Sequence, residues 1–154
     1  MEQKTHNRPV ECLKSFPQRL MIIEDDLALS EVLDNLFTDL GYHCGMEADA
    51  PEINTIEAFR PDLVIIDYHL PKVNGGEICV SLRNSKLLAK TPVIIISAYS
   101  SILLHLEGYA FDSFIEKPFS IQEILRPVER LLLRKNLAGQ KRTPMPFRFK
   151  TNHA

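Results

Sequence analysis

The stretch DLVIIDYHLPKVNGG, residues 62–76, decides the fold because it joins an apolar run to a carboxylate and then to a turn. The run up to Asp67 is continuous, apolar and rich in β-branched residues, which is typical of strands covered on both faces in a parallel sheet. Pro71, Gly75 and Gly76 then indicate a loop. The pattern raises the question of why a buried strand ends on Asp67.

Four further stretches have strand character. Two are continuous apolar runs, RLMIIED at 19–25 and PVIIIS at 92–97. Two are weaker, YHCGMEA at 42–48 and SFIEK at 113–117.

Segments with helical periodicity follow these strands. They lie at 27–40, 51–59, 75–88, 99–107 and from Ser120 onward. Pro127 lies inside the last segment and is expected to kink or split that helix. The strict alternation of strand and helix predicts a doubly wound, three-layer α/β domain with five parallel strands and five helices.

Length and composition are those of one soluble globular domain. The chain has 154 residues, 45% hydrophobic and 25% charged, and we expect the domain at 19–136, between a flexible flank at 1–18 and a basic flexible tail at 137–154. No apolar run approaches the roughly 18 residues of a membrane span, and no secretory signal begins the chain, so we expect a cytoplasmic protein that has no membrane contact. The three cysteines lack the spacing of a zinc site and are expected to be free thiols.

Charge is distributed unevenly along the chain. Residues 20–129 contain 18 acidic and 7 basic residues, whereas the two flanks contain 11 basic residues and only Glu2 and Glu11 as acids. Because binding to nucleic-acid phosphates requires a basic surface, the acidic body is not expected to bind nucleic acid.

Charged and polar residues stand where the predicted strands end. Glu24 and Asp25 follow the first strand, Asp67 ends the third, Ser97 ends the fourth and Lys117 ends the fifth. The carboxyl ends of parallel strands lie along one edge of the sheet, where ligands bind in open α/β folds, so we expect these five side chains to converge.

Each residue alone also has a purely structural explanation. Asp25 or Asp26 suits a helix cap, Ser97 a strand end, and Lys117 a solvated surface. Their coincidence at successive strand ends favours a functional site.

Clustered carboxylates repel one another unless a cation neutralises them. The three acids are balanced by Lys117 together with a divalent ion, and a site with only oxygen donors favours Mg²⁺ over zinc. A carboxylate beside Mg²⁺, with an ammonium and a hydroxyl nearby, is suited to accepting a phosphoryl group. Asp67 would be the nucleophile in that transfer, with Lys117 and Ser97 as its catalytic partners.

Four ordered motifs resemble the receiver domain of two-component response regulators, of the single-domain type. They are IIEDD at 22–26, DYHLPKVNGGE at 67–77, SA at 97–98 and KPF at 117–119. The resemblance implies a flavodoxin-like sheet of order 2-1-3-4-5 and phosphorylation of Asp67 by a histidine kinase or a phosphotransfer protein. It also makes the Lys117–Pro118 bond a candidate cis peptide.

The resemblance implies a metal site as well. Asp25, Asp67 and the backbone carbonyl of His69 would ligate Mg²⁺, and Glu24 would act through a water molecule.

The phosphoryl oxygens would be held by Lys117, by the Ser97 hydroxyl and by the backbone amides of His69 and Ala98. In the switch that the family implies, Ser97 moves inward on phosphorylation and Phe114 enters the vacated space. A plain core role is the alternative for Phe114. For the His69 side chain, an exposed loop position is favoured over contact with a phosphodonor, and bulky Tyr99 is hypothesised to shield the acyl phosphate from water.

These observations predict a signalling module rather than an enzyme, apart from self-catalysed phosphorylation and autodephosphorylation. We expect a downstream protein target, no DNA-binding domain, and a homodimer contact through the fourth helix, fifth strand and fifth helix. Contact of the basic tail, through its Lys and Arg residues together with Phe147 and Phe149, with an acidic partner or nucleic acid is the alternative to a flexible tail.

The sequence disfavours two rival functions and leaves a third open. Phosphatases that use an aspartyl phosphate need a second acid where this chain has His69, and nucleotide-binding domains need a glycine-rich loop after the first strand. A receiver-like interaction module that does not accept phosphate remains open.

Overall fold

A computed structural model of the chain describes residues 16–101 and 108–140. Its five strands are β1 Arg19–Ile23, β2 His43–Glu47, β3 Leu63–Asp67, β4 Val93–Ser97 and β5 Ser113–Glu116. They form one parallel sheet in the order β2-β1-β3-β4-β5. The predicted fold class and strand order are confirmed.

Four helices lie within the described residues: α1 Leu27–Asp39, α2 Ile53–Phe59, α3 Gly75–Asn84 and α4 Ile121–Gln140. The helix expected at 99–107 falls largely on residues 102–107, which lie outside the described part of the chain. Most of each flank also lies outside it, namely residues 1–15 of the first flank and residues 141–154 of the tail. None of the helices in the described segments is both long enough and apolar enough to cross a membrane.

Side-chain caps set the starts of three helices. At α4, the Ser120 hydroxyl accepts the Glu123 amide and the Ser120 amide donates to the Glu123 carboxylate, as expected for a cap at Ser120. The Asp26 carboxylate accepts hydrogen bonds from the amides of Ala28 and Leu29 and so caps α1. Asn74 and Glu77 form a capping box at the start of α3, each side chain bonding the other residue's amide. Such caps satisfy amides that have no partner within the helix, each typically contributing about 1 kcal/mol.

Alternate strand residues pack on opposite faces of the sheet. One face packs against α2 and α3 through Met21, Ile23, Val64, Ile66, Val93 and Ile95. The other packs against α1 and α4 through Leu20, Ile22, Leu63, Ile65, Ile94 and Ile96. Because β1, β3 and β4 are covered on both faces, their sequences are continuous apolar runs, and each fully buried side chain of this size contributes about 1.5–3 kcal/mol.

Pro127 does not split the last helix, contrary to one of the two outcomes expected from the sequence. Helix α4 continues through it to Gln140. Four α4 residues on one stripe are buried against the sheet: Ile124, Val128, Leu131 and Leu132. Burial of this stripe offsets the loss of one backbone hydrogen bond at proline.

Arg83 connects α3 to the segments that lead into β4 and β5. Its guanidinium donates hydrogen bonds to the carbonyls of Thr91 at 2.6 Å and Ala110 at 2.7 Å, and to the Asp112 carboxylate at 3.0 Å. Asp112 in turn accepts the Val93 amide at 2.8 Å. One side chain therefore fixes the entry to both strands that carry Ser97 and Lys117 at their far ends.

We predict that Arg83→Leu lowers the free energy of unfolding by about 1–3 kcal/mol, because several carbonyls and Asp112 lose a charged donor. Urea denaturation followed by circular dichroism measures the change. Arg126→Leu, at an exposed position of α4, is the matched control and should have little effect. Equal stabilities of the two variants would contradict this role for Arg83.

Candidate functional site

Three carboxylates meet at the carboxyl edge of the sheet. Glu24 and Asp25 follow β1, Asp67 ends β3, and one oxygen from each lies within 4.8 Å of the others. Glu24 is fully buried and Asp67 is 5% exposed, whereas Asp25 is exposed. Asp26, not Asp25, caps α1, so Asp25 belongs to the carboxylate cluster.

Lys117 bridges the two buried acids. Its ammonium donates to Glu24 Oε2 at 2.8 Å and to Asp67 Oδ2 at 2.9 Å. The Lys117 backbone amide donates to the Ser97 carbonyl at 2.7 Å, which extends the pairing of β4 and β5 to the base of the lysine side chain. The sheet thereby brings one cation against two anions that are distant in sequence.

Burial and hydrogen bonding together set the pKa values of Glu24 and Lys117. Removal from water raises the pKa of Glu24 to about 7, although hydrogen bonds from Lys117 and the Asp26 amide oppose the rise. Burial acts to lower the pKa of Lys117, but its hydrogen bonds to Glu24 and Asp67 outweigh that effect and raise the pKa. Lys117 therefore stays charged at neutral pH, whereas Glu24 titrates close to neutral pH.

The loop after β3 fixes the orientation of Asp67. The His69 amide donates to Asp67 Oδ1 at 3.0 Å, and the Gly75 amide donates to the Tyr68 carbonyl at 2.9 Å. A Cβ atom at Gly75 would lie 2.7 Å from the Asp67 carbonyl oxygen, closer than such atoms approach. The sequence placed Gly75 in a turn and in the DYHLPKVNGGE motif, and the structure gives the reason for the glycine, because the start of α3 touches the backbone of Asp67.

Ser97 is buried at the end of β4, next to the His69 side chain. Its hydroxyl accepts the Tyr99 amide at 3.2 Å and lies 3.4 Å from His69 Nδ1. The rings of His69 and Tyr99 meet edge to face with centroids 5.5 Å apart. His69 is exposed, as the preferred interpretation of the sequence held, yet it also contacts a site hydroxyl, which its position two residues after Asp67 could have signalled.

Ala98 and Phe114 take different positions around this edge. Ala98 is exposed next to Ser97. Phe114 lies on β5 opposite Ile95 and is half-buried against the core that faces α2 and α3.

The Lys117–Pro118 peptide bond is cis, as the resemblance predicted.

The donor set of the cluster suits a hard divalent cation. It offers carboxylate oxygens alone, and neither Cys44 nor Cys79, the free thiols of the described segments, belongs to it. Oxygen-only sites with few carboxylates suit Mg²⁺, which retains part of its water shell.

Comparison with known proteins identifies the family. Residues 20–129 match the response regulator receiver domain. The DNA-binding dual master transcriptional regulator RpaA of Synechocystis is 32% identical over 79% of this chain and 52% of its own length. The response regulator ArlR of Staphylococcus aureus is 33% identical over 76% of this chain and 53% of its own length. The chain spans about half the length of these curated relatives.

Solved structures show the same fold. A response regulator from Chloroflexus aurantiacus has 26% identity and a TM-score of 0.71, covering 77% of this chain and 99% of its own. The response regulator TrrA from Thermotoga maritima, solved in complex with Mg²⁺–BeF, has 25% identity and a TM-score of 0.67 over 74% of this chain and 98% of its own.

The relatives correct the prediction about partners, which excluded a DNA-binding domain. RpaA is described as DNA-binding, and the matched region is only about half of it. The exclusion is therefore wrong as an inference from this sequence. A receiver domain folds around its own core, so nothing in that core records what a longer chain carries beside it.

We predict that, without metal, the Glu24 carboxyl makes the protein less stable as pH rises from its usual pKa of 4.5 through about 7. Within this window the folded state binds more protons than the unfolded state, so the free energy of unfolding falls with pH. Urea denaturation at several pH values with a chelator present measures the trend.

Glu24→Gln should flatten that pH dependence because the amide does not titrate. Glu31→Gln, at an exposed position of α1, is the control and should retain the parent profile. An unchanged slope in Glu24→Gln would show that another group is responsible.

Proposed function

Because the chain belongs to the response regulator receiver domain family, we propose that Asp67 accepts a phosphoryl group in a Mg²⁺-dependent reaction that switches a two-component signalling pathway. The observation that carries the proposal is the contact of Asp67 with Lys117, beside two further acids at the carboxyl edge of the sheet. Receiver domains are generally signalling modules rather than enzymes, and the chemistry proposed here is the self-catalysed modification of one side chain.

The carboxylate cluster supports the choice of metal. Asp25, Asp67 and the His69 carbonyl would hold Mg²⁺, with Glu24 acting through water. Bound Mg²⁺ would supply positive charge to the oxygens of the transferred group. The relative TrrA was solved in complex with Mg²⁺–BeF, which agrees with this assignment.

Asp67 is the proposed nucleophile. An oxygen of its carboxylate forms the new bond to phosphorus, while the bond from phosphorus to the donor's leaving group breaks, a P–N bond in a phosphohistidine or a P–O bond in acetyl phosphate. Lys117 already contacts Oδ2 and is the group best placed to balance charge on the phosphoryl oxygens. The amides of His69 and Ala98 would donate to the same oxygens.

Ser97 and Phe114 would carry the signal away from the site. The Ser97 hydroxyl now accepts the Tyr99 amide and lies near His69. In the phosphorylated state it would turn to a phosphoryl oxygen, and Phe114 would move toward the space that Ser97 leaves. The new hydrogen bond supplies the free-energy difference that a two-state switch requires.

Incubation with acetyl phosphate and Mg²⁺ tests the function directly. Intact mass spectrometry should show the addition of one phosphoryl group, which disappears when the metal is chelated before the reaction. Asp67→Asn should not be modified, whereas Asp39→Asn, at an exposed position ending α1, should react like the parent. A parent protein that stays unmodified while folded would favour the receiver-like interaction module that does not accept phosphate.

The lifetime of the phosphorylated state should depend on the Tyr99 ring. This ring packs against His69 at the mouth of the site, and its removal would open a path for attacking water. We expect phosphorylated Tyr99→Ala to lose phosphate several-fold faster than the parent in a mass-spectrometric time course. Tyr99→Phe keeps the ring and should decay at the parent rate, and equal rates for all three proteins would exclude this shielding.

A further inference from the structure

A groove with a volume of about 1050 Å³ runs between α2 and α3. Helix α2 lines it with Ile53, Ile56 and Glu57, and α3 lines it with Ile78 and Ser81. These positions have the three- and four-residue spacing of a single side of each helix. The groove therefore follows the two helices and has the shape to receive a third one.

The polar groups in the groove floor already have partners within the chain. The Ser81 hydroxyl donates to the Glu77 carbonyl at 3.1 Å, and the Ser85 hydroxyl donates to the Glu57 carboxylate at 2.5 Å. What the floor leaves open is therefore mainly apolar. Leu87, beyond the end of α3, adds a side chain that is 70% exposed, so the groove is suited to large apolar side chains.

Charge differs between the two ends of the groove. Glu52 and Glu77 lie at the carboxyl-edge end, where α2 and α3 begin, whereas Lys86 lies at the other end, beside Leu87. None of the ion pairs among the described residues includes either of these glutamates. A docked helix is therefore favoured if it places a cation at the carboxyl-edge end and apolar side chains toward Leu87.

The outer side of α4 carries this pattern. Within about two turns it presents four exposed residues, Arg130, Leu133, Arg134 and Leu137, which we call the outer strip of α4. Leu133 is 60% exposed and Leu137 is 53% exposed, although both are large apolar side chains. The strip lies opposite the buried stripe of α4, and its first residue is a cation while its last is apolar.

The two surfaces belong to opposite faces of the sheet. Helices α2 and α3 cover one face, and α4 covers the other. The outer strip of α4 therefore cannot reach the groove of its own chain. A second copy supplies both surfaces in the same arrangement, so contact between copies runs head to tail.

We propose that the outer strip of α4 docks into the groove between α2 and α3 of a second copy of the chain. Arg130 lies beside Glu52 and Glu77, while Leu133 and Leu137 pack on the apolar floor toward the end that carries Leu87. The docked α4 consequently runs in the same direction as the α3 helix that it contacts.

The contact is asymmetric and small. Two leucines and the charges around them bury an area near or below the roughly 1,200 Å² at which stable interfaces begin. Association is therefore weak and gives short oligomers at high protein concentration. It does not involve Asp67 and is independent of phosphorylation.

Sedimentation velocity of the full chain over a concentration series, with a chelator present, tests the contact. The weight-average sedimentation coefficient of the parent should rise with concentration, and high salt should reduce the rise because it screens exposed charges. Leu87→Ser in the groove and Leu137→Ser in the outer strip should each remove most of the rise. Glu31→Arg, at an exposed position of α1, is the control and should associate like the parent.

Mixing the two leucine variants tests the head-to-tail geometry. Leu87→Ser keeps an intact outer strip, and Leu137→Ser keeps an intact groove. An equimolar mixture should therefore form a one-to-one complex that does not grow further, whereas each variant alone stays monomeric.

Charge reversal tests the direction of the docked helix. Glu52→Arg and Arg130→Glu should each weaken association several-fold, since each places like charges together. Glu52 makes no side-chain cap at α2, so its replacement leaves the start of that helix intact. The two reversals combined in one chain restore opposite charges across the contact and should recover association.

Three outcomes would overturn the proposal, provided that circular dichroism shows the variants folded like the parent. A parent whose sedimentation coefficient stays constant would leave the groove to a helix of another protein or to no helix. Association that is lost in Leu137→Ser but kept in Leu87→Ser would mean that α4 pairs with itself. A double charge variant that fails to recover would mean that Arg130 does not lie beside Glu52.

Discussion

The contact of Lys117 with Glu24 and Asp67 is the interaction on which the site depends. Two buried carboxylates at one edge of a sheet would repel each other and lose hydration, and the ammonium offsets both costs. The contact forms because β5 places Lys117 beside Ser97, and β4 lies next to the strand that ends on Asp67. The direction of the parallel strands is therefore the constraint from which the chemistry follows.

Burying charged groups at this edge carries a desolvation cost. Glu24 is fully buried, and its raised pKa shows that its environment disfavours the ionised form. A cation bound to the ionised cluster would offset this cost, so metal binding would add to folding stability through the same side chain. The apolar core of the domain lies beneath this edge, where both faces of β1, β3 and β4 are covered by helices.

Much of the fold could be predicted because its signals are local. Continuous apolar runs identify strands covered on both faces, and the acids, the hydroxyl and Lys117 at their ends indicated a shared edge. Pro127 was misjudged in part, since its cost is local but the burial that keeps α4 continuous comes from the sheet. The exclusion of a DNA-binding domain failed because a domain's sequence describes its own core and not its neighbours in a longer protein.

By itself, the sequence determined the type and order of the elements and the residue types at each strand end, because periodicity and turn residues act over a few positions. Only the tertiary structure decided which of these groups touch. Lys117 lies 93 residues from Glu24 and 50 from Asp67, and whether Asp25 or Asp26 caps α1 depends on how that helix begins. The need for glycine at position 75 likewise appears only when α3 packs against Asp67. Distances between residues remote in the chain are set by strand order and register, which no short stretch encodes.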